Sequence, residues 1–89
     1  MAIVLSMTAP DRTSYEAVMD LLDLDDNPPS GLVVHTASQT ADGVRVLDVW
    51  ETQADLDTFF ETRLGKAIAE VGMEPPPPDI TETFNVYIP

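Results

Sequence analysis

The chain has 89 residues, with 16 acidic against 4 basic side chains, 44% hydrophobic residues, 8 prolines and no cysteine. That length makes a single domain over 1–89 with a thin core of its own, and the lack of cysteine excludes a disulfide framework or a thiolate zinc site. A formal charge of −12 repels phosphate and anionic headgroups, and Arg12, Arg45, Arg63 and Lys66 are too scattered to form a basic groove, so no nucleic acid and no membrane is expected as a partner. The opening residues have no basic region and too short an apolar run for a signal peptide, which gives a soluble, cytoplasmic expectation.

Residues 2–7 form a short β-rich run, interrupted by the turn chemistry of Thr8-Ala9-Pro10-Asp11. Thr13 and Glu16 then have capping-box spacing, and Tyr15, Val18, Met19 and Leu22 recur at helical intervals, which predicts an amphipathic helix ending near Leu24. Asp25-Asp26-Asn27-Pro28-Pro29-Ser30-Gly31 cannot continue it, because two prolines lack amide donors and the other residues favour turns. Two β-branched runs follow, over 32–38 and 44–51, joined by Gln39-Thr40-Ala41-Asp42-Gly43, whose Asp-Gly pair signals a hairpin. Thr52 sits three residues before Asp55 as a second cap. Leu56, Phe59, Phe60, Leu64, Ala67, Ile68 and Val71 mark a longer helix ending at Gly72. The prolines at 75–78 predict an extended crossing before a fourth strand over 82–88.

The order is βαββαβ, and right-handed crossovers make it a ferredoxin-like α+β plan with two helices on one face of a four-stranded antiparallel sheet. Both faces of the strands carry apolar residues: Leu32, Val34, Leu47 and Val49 alternate with Val33, Ala37, Val46 and Trp50. An apolar face left open on so small a domain predicts a homodimer in which two sheets close face to face as an α/β barrel.

His35 is the only histidine. With a two- or four-residue hairpin loop it shares a face with Val46, Asp48 and Trp50; a four-residue loop places it directly opposite Asp48, and a three-residue loop breaks the pairing. Asp48 stands among apolar neighbours in a central strand, where an unpaired carboxylate is costly, so His35 is its nearest partner. The pair has two readings. One is mutual satisfaction inside the fold; the other is an oriented catalytic base, His35 held by Asp48. Trp50, Tyr15, Met19, Phe59, Phe60 and Leu64 would line the space between sheet and helices, either as ordinary core or as an apolar ligand pocket.

These six elements, the passage Asp48-Val49-Trp50-Glu51-Thr52-Gln53-Ala54-Asp55-Leu56-Asp57-Thr58-Phe59-Phe60 and the later Asn85-Val86-Tyr87 together resemble the dimeric α/β-barrel superfamily, nearest its antibiotic-biosynthesis-monooxygenase-like branch. The resemblance implies a cofactor-independent enzyme acting on an aromatic or polyketide-like molecule, as a monooxygenase or as a cyclase or isomerase. It also implies that a Trp, an Asn and a Tyr position the substrate, for which Trp50, Asn85 and Tyr87 are available by residue type. Haem-degrading members hold iron through a histidine on the second helix, and residues 53–71 contain none, so no cofactor is expected. No metal is expected either. Asp23, Asp25 and Asn27 open like a calcium loop, but Pro28 stands where glycine is required and Val34 where a bidentate glutamate should be. The alternative function is a non-catalytic dimeric module that binds a ligand or serves as an accessory subunit.

Overall fold

Eight residues of β3, Gly43–Trp50, form the centre of the structure, a computed structural model that describes residues 1–89. β3 is hydrogen-bonded on one side to β1, Ile3–Ala9, and on the other to β2, Leu32–Thr40; β1 in turn carries the short β4, Asp79–Glu82. The order β2-β3-β1-β4, antiparallel throughout, is the ferredoxin-like sheet. Helix α1, Arg12–Leu22, and a second helix over 53–71, termed α2, cover one face of it.

The registers decide which side chains meet the helices. Ile3, Leu5, Met7 and Ala9 of β1 lie on the same face as Val44, Val46, Asp48 and Trp50 of β3, and most of these are buried. They join Val18 and Leu22 of α1 and Leu56, Phe59, Leu64 and Ile68 of α2 in a core that surrounds Trp50, which is 0% exposed. The opposite face presents Val4, Leu47, Val49 and Val34, and no element of this chain covers it.

Four boundaries differ from the expectations. The cap of α1 is Asp11, whose carboxylate accepts from the Ser14 amide, so the helix starts before the Thr13 and Glu16 box. That bond, from the Ser14 backbone and hydroxyl, holds the Asp11 carboxyl below its ordinary range. The helix ends at Asp23, in the left-handed conformation that Asp tolerates through its short polar side chain, with its amide on the Met19 carbonyl.

The β2–β3 loop is the two residues Ala41 and Asp42, one position earlier than the Asp-Gly pair. Gly43 instead opens β3 at φ +134°, packed so closely on the Ala9 backbone that a Cβ would collide with the Ala9 carbonyl. The resulting pairing, His35 opposite Asp48, is the one expected of a four-residue loop.

Helix α2 is not uniform. Thr52 caps it as expected, accepting from the Asp55 amide, and the helix runs as α-helix over Gln53–Phe59, as π-helix over Phe60–Leu64 and again as α-helix over Gly65–Val71. In the π stretch the Gly65 amide bonds the Phe60 carbonyl, five residues back. The buried stripe needs that wide turn, because it steps from Phe59 to Leu64. Phe60, expected in the stripe, is swung outward and is exposed. Gly72 closes the helix in the left-handed region.

The fourth strand is the largest correction: it occupies Asp79–Glu82, not 82–88. Ile80 pairs with Leu5 and Glu82 with Ile3, and the Thr83 amide reaches the Ala2 carbonyl. The β-prone residues 84–88 pair with no strand of this chain. Phe84 is 95% exposed and Tyr87 75%.

Candidate functional site

A linear chain of side-chain hydrogen bonds crosses the inner face of the sheet. Its register places His35 directly opposite Asp48, and the imidazole Nδ1 lies 2.6 Å from Asp48 Oδ1. Trp50, two residues on and therefore on the same face, donates its indole N–H to Asp48 Oδ2 at 3.3 Å. From α1, the Tyr15 hydroxyl reaches His35 Nε2 at 2.7 Å, with the phenol and imidazole rings nearly parallel.

Asp48 is buried at 7% exposure, a costly place for a carboxylate, and its two donors supply the compensation. An ionised Asp48 accepts from Nδ1–H, which leaves Nε2 as the imidazole's acceptor and makes the Tyr15 hydroxyl the donor to it. The tyrosine hydroxyl is pushed above its ordinary pKa, first by burial and then by the negative charges of Asp48 and Glu16. Tyr15 therefore carries its proton at neutral pH. The chain can pass a proton from the tyrosine oxygen to the imidazole while the carboxylate holds the ring in one tautomer, the arrangement that general-base chemistry needs.

The chain borders a partly open, largely apolar cavity of about 50 Å³. Of the residues expected to form a site, Tyr15, Met19, His35, Asp48, Trp50, Phe59 and Leu64 all line it. Trp50 and Phe59 pack ring on ring, with centroids 5.2 Å apart, and the Arg63 guanidinium lies over the Phe59 ring while donating to the Leu22 carbonyl. The structure does not bring Phe60, Asn85 or Tyr87 to this cavity. Phe60 is turned out by the π-helical stretch, and Asn85 and Tyr87 follow the end of β4 on exposed chain.

Two contacts went unread in the sequence. The Tyr15 to His35 bond joins α1 to β2 across a crossover, so no spacing encodes it; the one available signal is that a partly buried tyrosine hydroxyl needs a partner. The indole bond to Asp48 follows from the two-residue alternation. Met7, Leu24, Met73 and Pro76 also line the cavity and were likewise unassigned.

Asp23 and Asp25 flank a shallow surface hollow at the end of α1, and no group of three or more acidic, histidine or cysteine side chains is disposed to hold a metal ion. No helix is long and apolar enough to cross a membrane.

No protein-family model matches the chain, and no curated protein matches it by sequence. Solved structures do. A Nitrosomonas europaea protein of unknown function superposes with a TM-score of 0.70 at 17% identity, covering 99% of this chain and 92% of that one. The monooxygenase ActVA-Orf6 of Streptomyces coelicolor, solved with the ligand nanaomycin D, gives 0.60 at 15% identity over 99% and 90%. SnoaB, a cofactor-independent oxygenase from Streptomyces nogalater, gives 0.62 at 11% identity over 96% and 92%. This chain has the ferredoxin-like fold of the antibiotic-biosynthesis-monooxygenase-like proteins.

Proposed function

We propose that the protein is a small cofactor-independent enzyme acting on an aromatic or polyketide-like small molecule, with His35 as general base, Asp48 as the group that orients it and Tyr15 as the proton carrier between substrate and imidazole. The observation that carries this reading is the Tyr15–His35–Asp48–Trp50 hydrogen-bonded chain ending at an apolar cavity. Two of the similar structures are oxygenases, one of them crystallised with nanaomycin D, which supports the same class of substrate.

The chemistry follows from the geometry. A phenol or enol oxygen seated at Tyr15 gives up its proton as the tyrosine passes its own to Nε2, and Asp48 stabilises the imidazolium so formed. In the monooxygenase form the resulting carbanion transfers electrons to molecular oxygen. A carbon–oxygen bond forms, the hydroperoxide takes the proton back, and loss of water from a CH₂ centre leaves a ketone: CH₂ plus O₂ becomes C=O plus H₂O. In the cyclase or isomerase form the proton returns to a different atom and no oxygen is consumed. Dry, apolar walls protect the carbanion in either case.

A homodimer belongs to the same proposal. Val4, Val34, Leu47 and Val49 form an apolar sheet face without cover, and Phe84, Val86, Tyr87 and Ile88 are exposed on chain that pairs with no strand. A second copy laid sheet to sheet would bury both. Light scattering at micromolar concentration should give twice 9.7 kDa, and a mass of 9.7 kDa would remove the dimer.

The second reading is a non-catalytic dimeric module, ligand-binding or accessory, and the cavity's small size favours its accessory form. Trp50 is the only tryptophan, so quenching of its fluorescence by planar aromatic ketones and phenols tests the site directly. Saturable quenching together with substrate turnover supports the enzyme; saturable quenching with no turnover, aerobic or anaerobic, supports the ligand-binding module; no quenching defeats both of these and supports the accessory form.

A further inference from the structure

The cavity beside His35 is well below the roughly 300 Å³ at which small-molecule sites begin. A second hollow of about 290 Å³ adjoins it. This one is an open groove, roofed by the prolines at 75–78 and floored by the sheet and the π-helical stretch of α2. Met7, Leu64 and Pro76 line both hollows, so they are the wall between them. Leu64 is fixed in the core, but Met7 and Pro76 can move at low cost. Methionine is unbranched and adapts its shape, and the Pro76 segment lies in a connection that belongs to no helix or strand.

The π-helical turn shapes the groove. By widening the step from Phe59 to Leu64 it points Leu64 into the wall and turns Phe60 and Glu61 toward the groove, where Asp57 stands one turn earlier. Asp57 and Glu61 are exposed carboxylates, and none of the chain's four basic residues lines the groove. Its apolar part therefore suits a hydrocarbon or aryl group, and its charge repels anions.

We propose that the groove under the proline strap is the outer compartment of the same site: a ligand enters beneath residues 75–78, displaces the Met7 and Pro76 side of the wall, and lies with its reacting ring at Tyr15 and His35 and an uncharged or cationic extension in the groove. Asp57 and Glu61 are its specificity determinants, selecting against substrates with a carboxylate at the distal end. This rests on the small-molecule reading of the cavity.

Calorimetric titration with three probes separates the two claims: a naphthol, the same naphthol carrying a butyl ether, and the same ether ended by a carboxylate. The neutral tail should tighten binding about tenfold over the bare ring by burying its methylenes under the strap. The carboxylate-ended tail should bind about tenfold more weakly than the neutral one. In the Asp57→Asn/Glu61→Gln protein, whose two changes are on the exposed surface, that difference should shrink to about twofold or less, the residue left by long-range charge.

If the bare naphthol binds but the tail adds nothing, the outer compartment is wrong and the inner site stands. If the discrimination against the carboxylate survives in the double variant, it belongs to the overall charge of −12 and the two acids are not determinants. If no naphthol binds, the small-molecule reading falls and the compartment falls with it.

Discussion

Replacing His35 with glutamine is expected to lower turnover of an aromatic substrate by about 10²–10⁴-fold while leaving naphthol affinity within a few-fold of the parent. Glutamine is the informative choice because of Asp48. The carboxylate is buried and has two donors, the imidazole at 2.6 Å and the indole at 3.3 Å. Alanine at 35 would remove the shorter bond and leave a poorly compensated buried charge, at a cost of about 1–3 kcal/mol, so lost activity could reflect lost structure. A glutamine amide can still donate to Asp48, but it cannot accept a proton at neutral pH. A large fall in turnover with an unchanged melting temperature therefore assigns the base. Tyr15→Phe is the companion measurement: it leaves Nε2 facing the cavity without its proton carrier, and a loss smaller than that of His35→Gln is expected. Equal activity in parent and His35→Gln protein would reduce the whole chain of bonds to a structural network.

The parts of the fold legible in the sequence were those set by local periodicity. Both helices, the hairpin and the helix stop at Gly72 follow from spacing and turn chemistry, and the pairing of His35 with Asp48 follows from strand alternation once the loop length is known. The errors arose where a neighbouring element decided the outcome. Gly43 looked like a turn residue, yet its missing side chain is used to let the Ala9 backbone come close, and the loop moved one position back. Phe60 fits a 3.6-residue stripe as well as Phe59 does; only the wide π turn separates them. Residues 84–88 have strand composition, but a strand needs a partner, and the pairing of β4 with β1 runs over Asp79–Glu82 instead. Asn85 and Tyr87, which the resemblance offers by residue type, lie on exposed chain away from the cavity, whereas Tyr15, expected in its lining, also bonds the His35 imidazole.

The Trp50 indole is one of the two donors that compensate the buried Asp48 carboxylate, and Trp50→Ala should be the most damaging single substitution for stability. The side chain is fully buried at the end of β3, between Ile3 and Leu32 in the sheet register and against Phe59 of α2. Truncating it opens a cavity where sheet and helix meet and costs about 3–5 kcal/mol. A chain of this length has only about 4–13 kcal/mol in total, so the variant should lose about a quarter or more of its stability. Trp50→Phe separates the two contributions: it keeps most of the packing against Phe59 but removes the N–H that Asp48 Oδ2 accepts, a loss of about 1–3 kcal/mol. Denaturant unfolding followed by circular dichroism, at one fixed protomer concentration because dimerisation would add concentration-dependent stability, measures both. If the alanine variant loses no more than the phenylalanine one, packing around the indole is not what holds sheet to helix. The expected order, alanine well beyond phenylalanine, makes the same residue the centre of the core and the last donor of the hydrogen-bonded chain, so its ring volume and its single donor are constrained together.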